Sequence, residues 1–294
     1  MKDKYFAESE LVINSDNSCF HLHLREEQLA NKVVMCGDPG RVDLIASHFD
    51  TKECEISSRE FHTITGTYKG KRITALSHGI GCDNIDIVIN ELDALKNIDF
   101  KTRREKETLT SLEIVRIGTC GGLQPYCPVG SFICSEKSIG FEGLLNYYGN
   151  RDKICDLDFE KAFTDHLGWD HHNLPSPYVV DNDSELLERI YKSSPKMIKG
   201  VTISCGGFYG PQGRELRIPL ADPKRNEKIQ SFEWNNYKIT NFEMESAAVA
   251  GLCKHLGHRG MTVCMVVANR VAHETNTDYK SNIDNLIELV LDAI

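Results

Sequence analysis

The sequence predicts a single α/β domain with a mixed, mostly parallel central sheet flanked by helices. Two observations carry that expectation. Apolar runs of strand length alternate with segments of helical period from residue 32 to the C-terminus. One run, Met261–Ala268, is apolar almost without a break, as in a strand covered by helices on both faces. The domain is placed at residues 19–294, behind a leader of residues 1–18.

In chain order, Lys32–Cys36 reads as a strand, Gly37-Asp38-Pro39-Gly40 as a turn and Arg41–Phe49 as a helix. Phe61–Tyr68 and Arg72–Ser77 flank Lys69-Gly70-Lys71, a hairpin pattern. Ile85, Val88, Ile89, Leu92 and Leu95 recur with helical period, placing a helix at Asn84–Leu95. Glu113–Ile117 is a buried strand running into Gly118-Thr119-Cys120-Gly121-Gly122, and Ser131–Cys134 is another strand. Residues 147–177 carry no readable pattern and are expected to form an insertion or a mobile lid. Ser184–Tyr191 is helical, Gly200–Cys205 and Lys238–Phe242 are strands, and Glu245–Leu256 is a small-residue helix suited to close packing. Ile283, Leu286, Ile287, Val290, Leu291 and Ile294 mark a C-terminal amphipathic helix.

Composition narrows the function. The net charge of -9 disfavours a nucleic-acid partner. The basic run Lys101–Lys106 is interrupted by acids and reads as a solvated connection. No apolar run is long enough to span a membrane, and Met1–Glu10 lacks a signal-peptide core, which points to the cytoplasm. The eleven cysteines form no CxxC pair and read as small buried hydrophobes. His171-His172 completes no known ligand spacing, so no metal site is expected and the pair reads as a surface loop.

Five segments carry chemistry. Gly37 to Arg41 offers backbone N–H groups at a helix start and a guanidinium, either for an anion or as a simple turn. Arg116 lies inside an apolar strand, and a buried charge needs a partner. That partner is either a structural carboxylate or a bound phosphate, which Thr119 could also reach. Ser58-Arg59-Glu60 by itself is an exposed ion pair. Phe208, Gln212 and Arg214 follow a strand end, where a flat base could stack on the ring and meet the amide and guanidinium at its edge; a capped loop is the equal alternative. Glu243 and Glu245 sit before a helix, either to accept hydrogen bonds from sugar hydroxyls or to cap the helix.

Taken together, these segments resemble the nucleoside phosphorylase family along nearly the whole chain, and within it the enzymes that act on uridine. The resemblance implies a phosphate site from Gly37, Arg41, Arg116 and Thr119, with Arg59 reaching it from a partner subunit. It implies ribose contacts from Thr119, Met244, Glu245 and a partner's His21. It implies a uracil pocket of Cys120, Gly121, Phe208, Gln212, Arg214, Glu243 and Arg270. Purine-acting members carry an aspartate after the last long strand, where this chain reads Ala268-Asn269-Arg270. The sequence departs from the family at Cys82-Asp83 and Cys120.

The implied reaction is phosphorolysis of uridine to uracil and ribose 1-phosphate, in pyrimidine salvage or catabolism. Arg214, Gln212, Glu245 and Arg116 carry it, with no covalent intermediate. No organic cofactor or metal is implied, and phosphate is a co-substrate. Sharing Arg59 and His21 requires at least a dimer, and the long leader favours a homodimer over a hexamer. The alternatives are a nucleosidase of the same fold, a purine nucleoside phosphorylase, and a paralogue that binds nucleosides without turnover.

Overall fold

The computed structural model describes residues 4–272, 274–276 and 280–294. Fourteen strands and seven α-helices follow in chain order. They are β1 (Lys32–Cys36), α1 (Pro39–Ser47), β2 (Thr51–Ser58), β3 (Phe61–Tyr68), β4 (Lys71–Ser77), α2 (Cys82–Asn97), β5 (Ile98–Asp99), β6 (Arg104–Glu105), β7 (Glu113–Gly122) and β8 (Phe132–Gly140). Then come α3 (Leu157–Leu167), β9 (Tyr178–Asp181), α4 (Ser184–Tyr191), β10 (Met197–Ser204), α5 (Arg225–Ser231), β11 (Glu233–Trp234), β12 (Tyr237–Glu243), α6 (Ser246–Leu256), β13 (Arg259–Asn269), β14 (Glu274–Thr275) and α7 (Lys280–Ala293).

One large sheet runs β11-β12-β10-β8-β13-β7-β1-β4-β3-β2. The pairings β1 with β4, β1 with β7, β7 with β13, β8 with β10 and β10 with β12 are parallel. The sheet is not simply open. The end of β7 also pairs antiparallel with β12, Gly121 opposite Phe242 and Gly122 opposite Asn241. The chain of pairings β12-β10-β8-β13-β7 thereby closes on itself around Cys120, Cys127, Ile133, Cys264 and Val266. Gly122 permits the closure, because a Cβ there would lie 2.9 Å from the Cys127 carbonyl.

The sequence-predicted strands and helices are present, with shifted ends. The helix expected from Arg41 starts at Pro39, because Asp38 caps it by accepting the Gly40 N–H. The β3–β4 hairpin turns on Lys69 and Gly70, both with positive φ, as a two-residue turn requires. Residues 147–177, where the sequence showed no readable pattern, are partly helical. They contain α3, capped by Asp156 at its start and by left-handed Gly168 at its end. Phe159, Phe163 and Leu167, spaced four apart, are buried with Phe232 and Trp169. Each such phenylalanine contributes roughly 1.5–3 kcal/mol of burial, enough to hold the helix down.

The basic run after α2 does more than meet solvent. Arg103 donates to the carbonyls of Phe6, Ala7 and Leu11 and ties down the leader. Of that leader, residues 1–3 lie outside the described residues. All eleven cysteines are free thiols, and burial pushes most of them up, Cys36, Cys127 and Cys134 to about 12. His171 and His172 are exposed. Among the described residues no helix is long and apolar enough to cross a membrane.

Candidate active site

A cavity of about 570 Å³ opens where β1, β4, β7, β12 and β13 end. β1, β4, β7 and β13 are parallel and point their carboxyl ends the same way, and the end of β12 joins them by pairing antiparallel with the end of β7. Gly37 and Arg41 enter from the β1–α1 turn, Gly79 and Ile80 from the β4–α2 turn, and Arg116, Thr119, Cys120 and Gly121 from β7. Phe208, Gln212 and Arg214 enter from the loop after β10, and Glu243, Met244 and Glu245 from the end of β12. The size suits a nucleoside with a small anion. A larger cavity of about 830 Å³ adjoins it and shares Arg214, but its walls are Phe141, Trp169, Leu174, Leu216 and Ile218. The chemistry lies in the smaller one, where the charged groups converge.

Arg116 organises the inner end. It is 4% exposed, and both carboxylates engage it: Nη1 donates to Glu243 Oε2 at 2.9 Å and Nη2 donates to Glu245. The partner left open by the sequence is thus carboxylate within the chain, while the guanidinium still lines the cavity. Gly118 makes room for this folded-back side chain, since a Cβ there would meet Arg116 Nη1 at 2.5 Å. Burial works against its charge, and the adjoining Glu245 and Glu243 more than offset that, holding its pKa above the ordinary arginine value. Burial pushes Glu245 up, against the pull of Arg116. Glu245 also accepts the Gly81 N–H at 2.7 Å, which the positive φ of Gly81 turns toward it.

Glu243, an expected base contact, lines the cavity and is already heavily bonded. Its oxygens already accept from Ser204, Arg116 and the N–H groups of Glu245 and Ser246. It holds the start of α6 and pairs with Arg116. Arg270, also expected at the base, stands back from the cavity wall. It does not line the cavity; its Nη1 donates to the Gln212 carbonyl at 2.5 Å, and its guanidinium lies over Phe242. It braces the base pocket from behind.

At the outer end Gln212 is 3% exposed and its Oε1 accepts from Arg214 Nη1 at 2.5 Å. The Arg214 guanidinium lies 3.8 Å from the Phe208 ring centroid, stacked where a base could also stack. Burial and then the neighbouring Arg270 lower Arg214 to about 10. On the anion side, Arg41 Nη1 donates to the Ile117 carbonyl at 3.1 Å, next to Arg116 and Thr119 on β7. Asp38 already occupies the Gly40 N–H, and Gly37, Arg41 and Thr119 line the cavity beside it.

The family model of the phosphorylase superfamily matches residues 31–294. The chain belongs to that superfamily. It is 28% identical over 275 residues to the uridine phosphorylase of Thermococcus kodakarensis, covering 92% of this chain and 84% of that one. It is 27% identical over 283 residues to the guanosine phosphorylase of Halorubrum lacusprofundi, covering 93% and 97%. A Trypanosoma brucei nucleoside phosphorylase, whose crystal structure is described as showing uridine phosphorylase activity, superposes with a TM-score of 0.88 at 27% identity. That match covers 96% of this chain and 98% of the other.

Besides Arg270, two expected site residues of this superfamily member stand outside the cavity. Arg59 sits exposed in the β2–β3 turn with positive φ, its guanidinium 5.7 Å from the Phe20 ring centroid. His21 Nδ1 meets Glu91 of α2 at 2.5 Å. Phe20, His21 and Arg59 therefore form one surface patch.

Several cavity residues were not singled out in the sequence: Gly79, Ile80, Gly118, Phe242, Val267 and Ala268. The turn glycines before α2 were the available signal. No metal site was expected, yet Asp43, Glu55 and His62 bring ligand atoms within 4.8 Å of one another on the surface. They come from three elements, so no spacing announces them. His62 is already paired there, Nε2 with Asp43 at 3.2 Å and Nδ1 with Ser57 Oγ at 2.7 Å.

Proposed function

We propose that this protein cleaves uridine with inorganic phosphate, giving uracil and ribose 1-phosphate. One observation carries the reading: a single cavity unites arginines for an anion, a carboxylate for a sugar, and an amide–guanidinium pair for a base edge. Arg41, Arg116, Thr119 and Gly37 hold the phosphate, a contribution of position and charge. Glu245 and Met244 fix the ribose. As the glycosidic bond breaks, Gln212 and Arg214 stabilise negative charge on uracil while phosphate attacks the opposite face of the sugar. No cofactor or metal is required.

The uridine phosphorylase among the relatives supports the base assignment, as does the end of β13. Asn269 Nδ2 donates to the carbonyls of Gln124 and Cys127 and its Oδ1 accepts from Val271 and Ala272. The residue is committed to the fold, and Ala268 and Arg270 beside it supply no acid to protonate a purine. The test is uracil release from uridine with and without phosphate. Strict phosphate dependence is expected; equal rates would replace phosphorolysis with hydrolysis.

In this reading the working unit is a homodimer in the cytoplasm. The Phe20–His21–Arg59 patch completes a partner's site, Arg59 on phosphate and His21 on ribose. Mixing Arg59→Ala protein with Glu245→Ala protein should then regenerate activity in exchanged dimers. No recovery with exchange confirmed by mass would mean that each site is built from one chain.

A further inference from the structure

Arg116 has one partner that neither the sequence motifs nor the proposed chemistry uses. His78, the residue after β4, is fully buried, and its Nε2 accepts from Arg116 Nε at 3.1 Å. Its backbone N–H donates to the Cys36 carbonyl at 2.9 Å, so the ring is anchored to the end of β1. A Cβ on Gly37 would lie 3.7 Å from the ring's Cε1, which puts the imidazole directly behind the anion turn. Its Nδ1 is buried and, among the described residues, has no hydrogen-bond partner.

We infer that His78 is the positioning residue for Arg116, holding the guanidinium by its Nε–H against the pull of Glu243 and Glu245 so that it stays available to the anion. This rests on the phosphorolysis reading for its function, though not for its geometry. An arginine Nε always carries its proton, so His78 Nε2 must be the bare nitrogen and Nδ1 the protonated one. Burial, then Arg116, then Arg41 hold the imidazole pKa well below its usual range, which keeps that acceptor intact. The charged groups around it are Arg41 on α1, Arg116 on β7 and, beyond Arg116, Glu243 and Glu245. Without the acceptor at Nε, Arg116 is held by the two carboxylates at its Nη atoms and by the Cys264 sulfur 3.7 Å from Nη1, and the guanidinium turns toward the carboxylates and away from the anion.

The experiment compares His78→Leu with His78→Gln, whose amide oxygen can replace Nε2. His78→Leu should raise the phosphate KM about tenfold or more, the effect of one lost buried hydrogen bond, and leave the uridine KM within about twofold. His78→Gln should restore most of the loss. An unchanged phosphate KM in folded His78→Leu, or equal rises in both KM values without rescue by glutamine, would overturn the inference. Calorimetry with inorganic sulfate supplies a readout that needs no turnover: binding should weaken in His78→Leu and recover in His78→Gln. That arm decides the role of His78 even if wild-type uracil release proves independent of phosphate. Should His78→Leu not fold, the wild-type sulfate affinity between about pH 5 and 8 is compared with that of His78→Gln. The same profile in both is expected; a histidine-type break that glutamine removes would overturn the inference.

Discussion

The two ends of the cavity are built differently. At the inner end Arg116 lies inside β7, and Glu243, Glu245 and His78 lie at or just past strand ends, buried and bonded to one another. At the outer end Phe208, Gln212 and Arg214 belong to a loop, beside a second, apolar cavity. Phe208 is 50% exposed, and Leu216 and Ile218 farther along are 72% and 81% exposed. The comparison teaches a division of labour. The charged inner end has partners whether or not ligand is bound, so its geometry is set by folding. The outer end holds its arginine by contacts within its own loop, the Gln212 amide, the Phe208 carbonyl and the Phe208 ring, and its shape can follow the base.

The strongest way to break that comparison is Arg116→Leu. It leaves Glu243 and Glu245 buried without their cation, so unfolding in denaturant should show a loss of about 3–5 kcal/mol. Phosphorolysis should fall by about a thousandfold or more, as the anion loses its buried donor. A stable, active variant would mean that the inner end is not a preformed unit.

Glu142 sharpens the comparison, because it sits on the seam. It follows β8, lines the apolar cavity, and accepts from Tyr178 OH through Oε1 while Oε2 has no partner. Burial raises its pKa to about 7. The native state then holds this proton more tightly than the unfolded chain, whose glutamate ionises near 4.5. Stability is therefore full below that pH and is lost as pH rises through about 7, by about 3 kcal/mol from this group. Glu142→Gln should flatten that slope in unfolding curves measured between the two pH values. The same slope in the variant would assign it to another group.

The smallest effect expected is on the base end. Gln212→Leu should leave the unfolding transition within about 1 kcal/mol of wild type yet cut uridine turnover tenfold or more, through one buried unsatisfied contact. Cytidine, which presents an amino group where uracil has a carbonyl, should be rejected by a similar factor. Equal specificity constants for cytidine and uridine would place the base elsewhere.

The elements that local chemistry dictates were legible: the hairpin at Lys69-Gly70, the helix of Ser184–Tyr191, and the strand that carries Arg116. The aromatic spacing of α3 was present too, but polar stretches on either side hid its period. Among site residues, Arg41, Arg116, Thr119, Gln212, Arg214 and Glu245 could be picked out because a guanidinium, amide or carboxylate at a strand end is chemically conspicuous. The sequence by itself determined which charges this protein would gather. Only the tertiary structure decided who holds whom. Arg116 meets Glu245 across 129 positions of chain because β7 closes onto β12. It meets His78 because β1 lies between β4 and β7. Glu243 went to a helix cap and Arg270 to the back of the pocket for the same reason. Caps, turns and periodicity are short-range, whereas a buried charge takes the partner that sheet closure brings within reach.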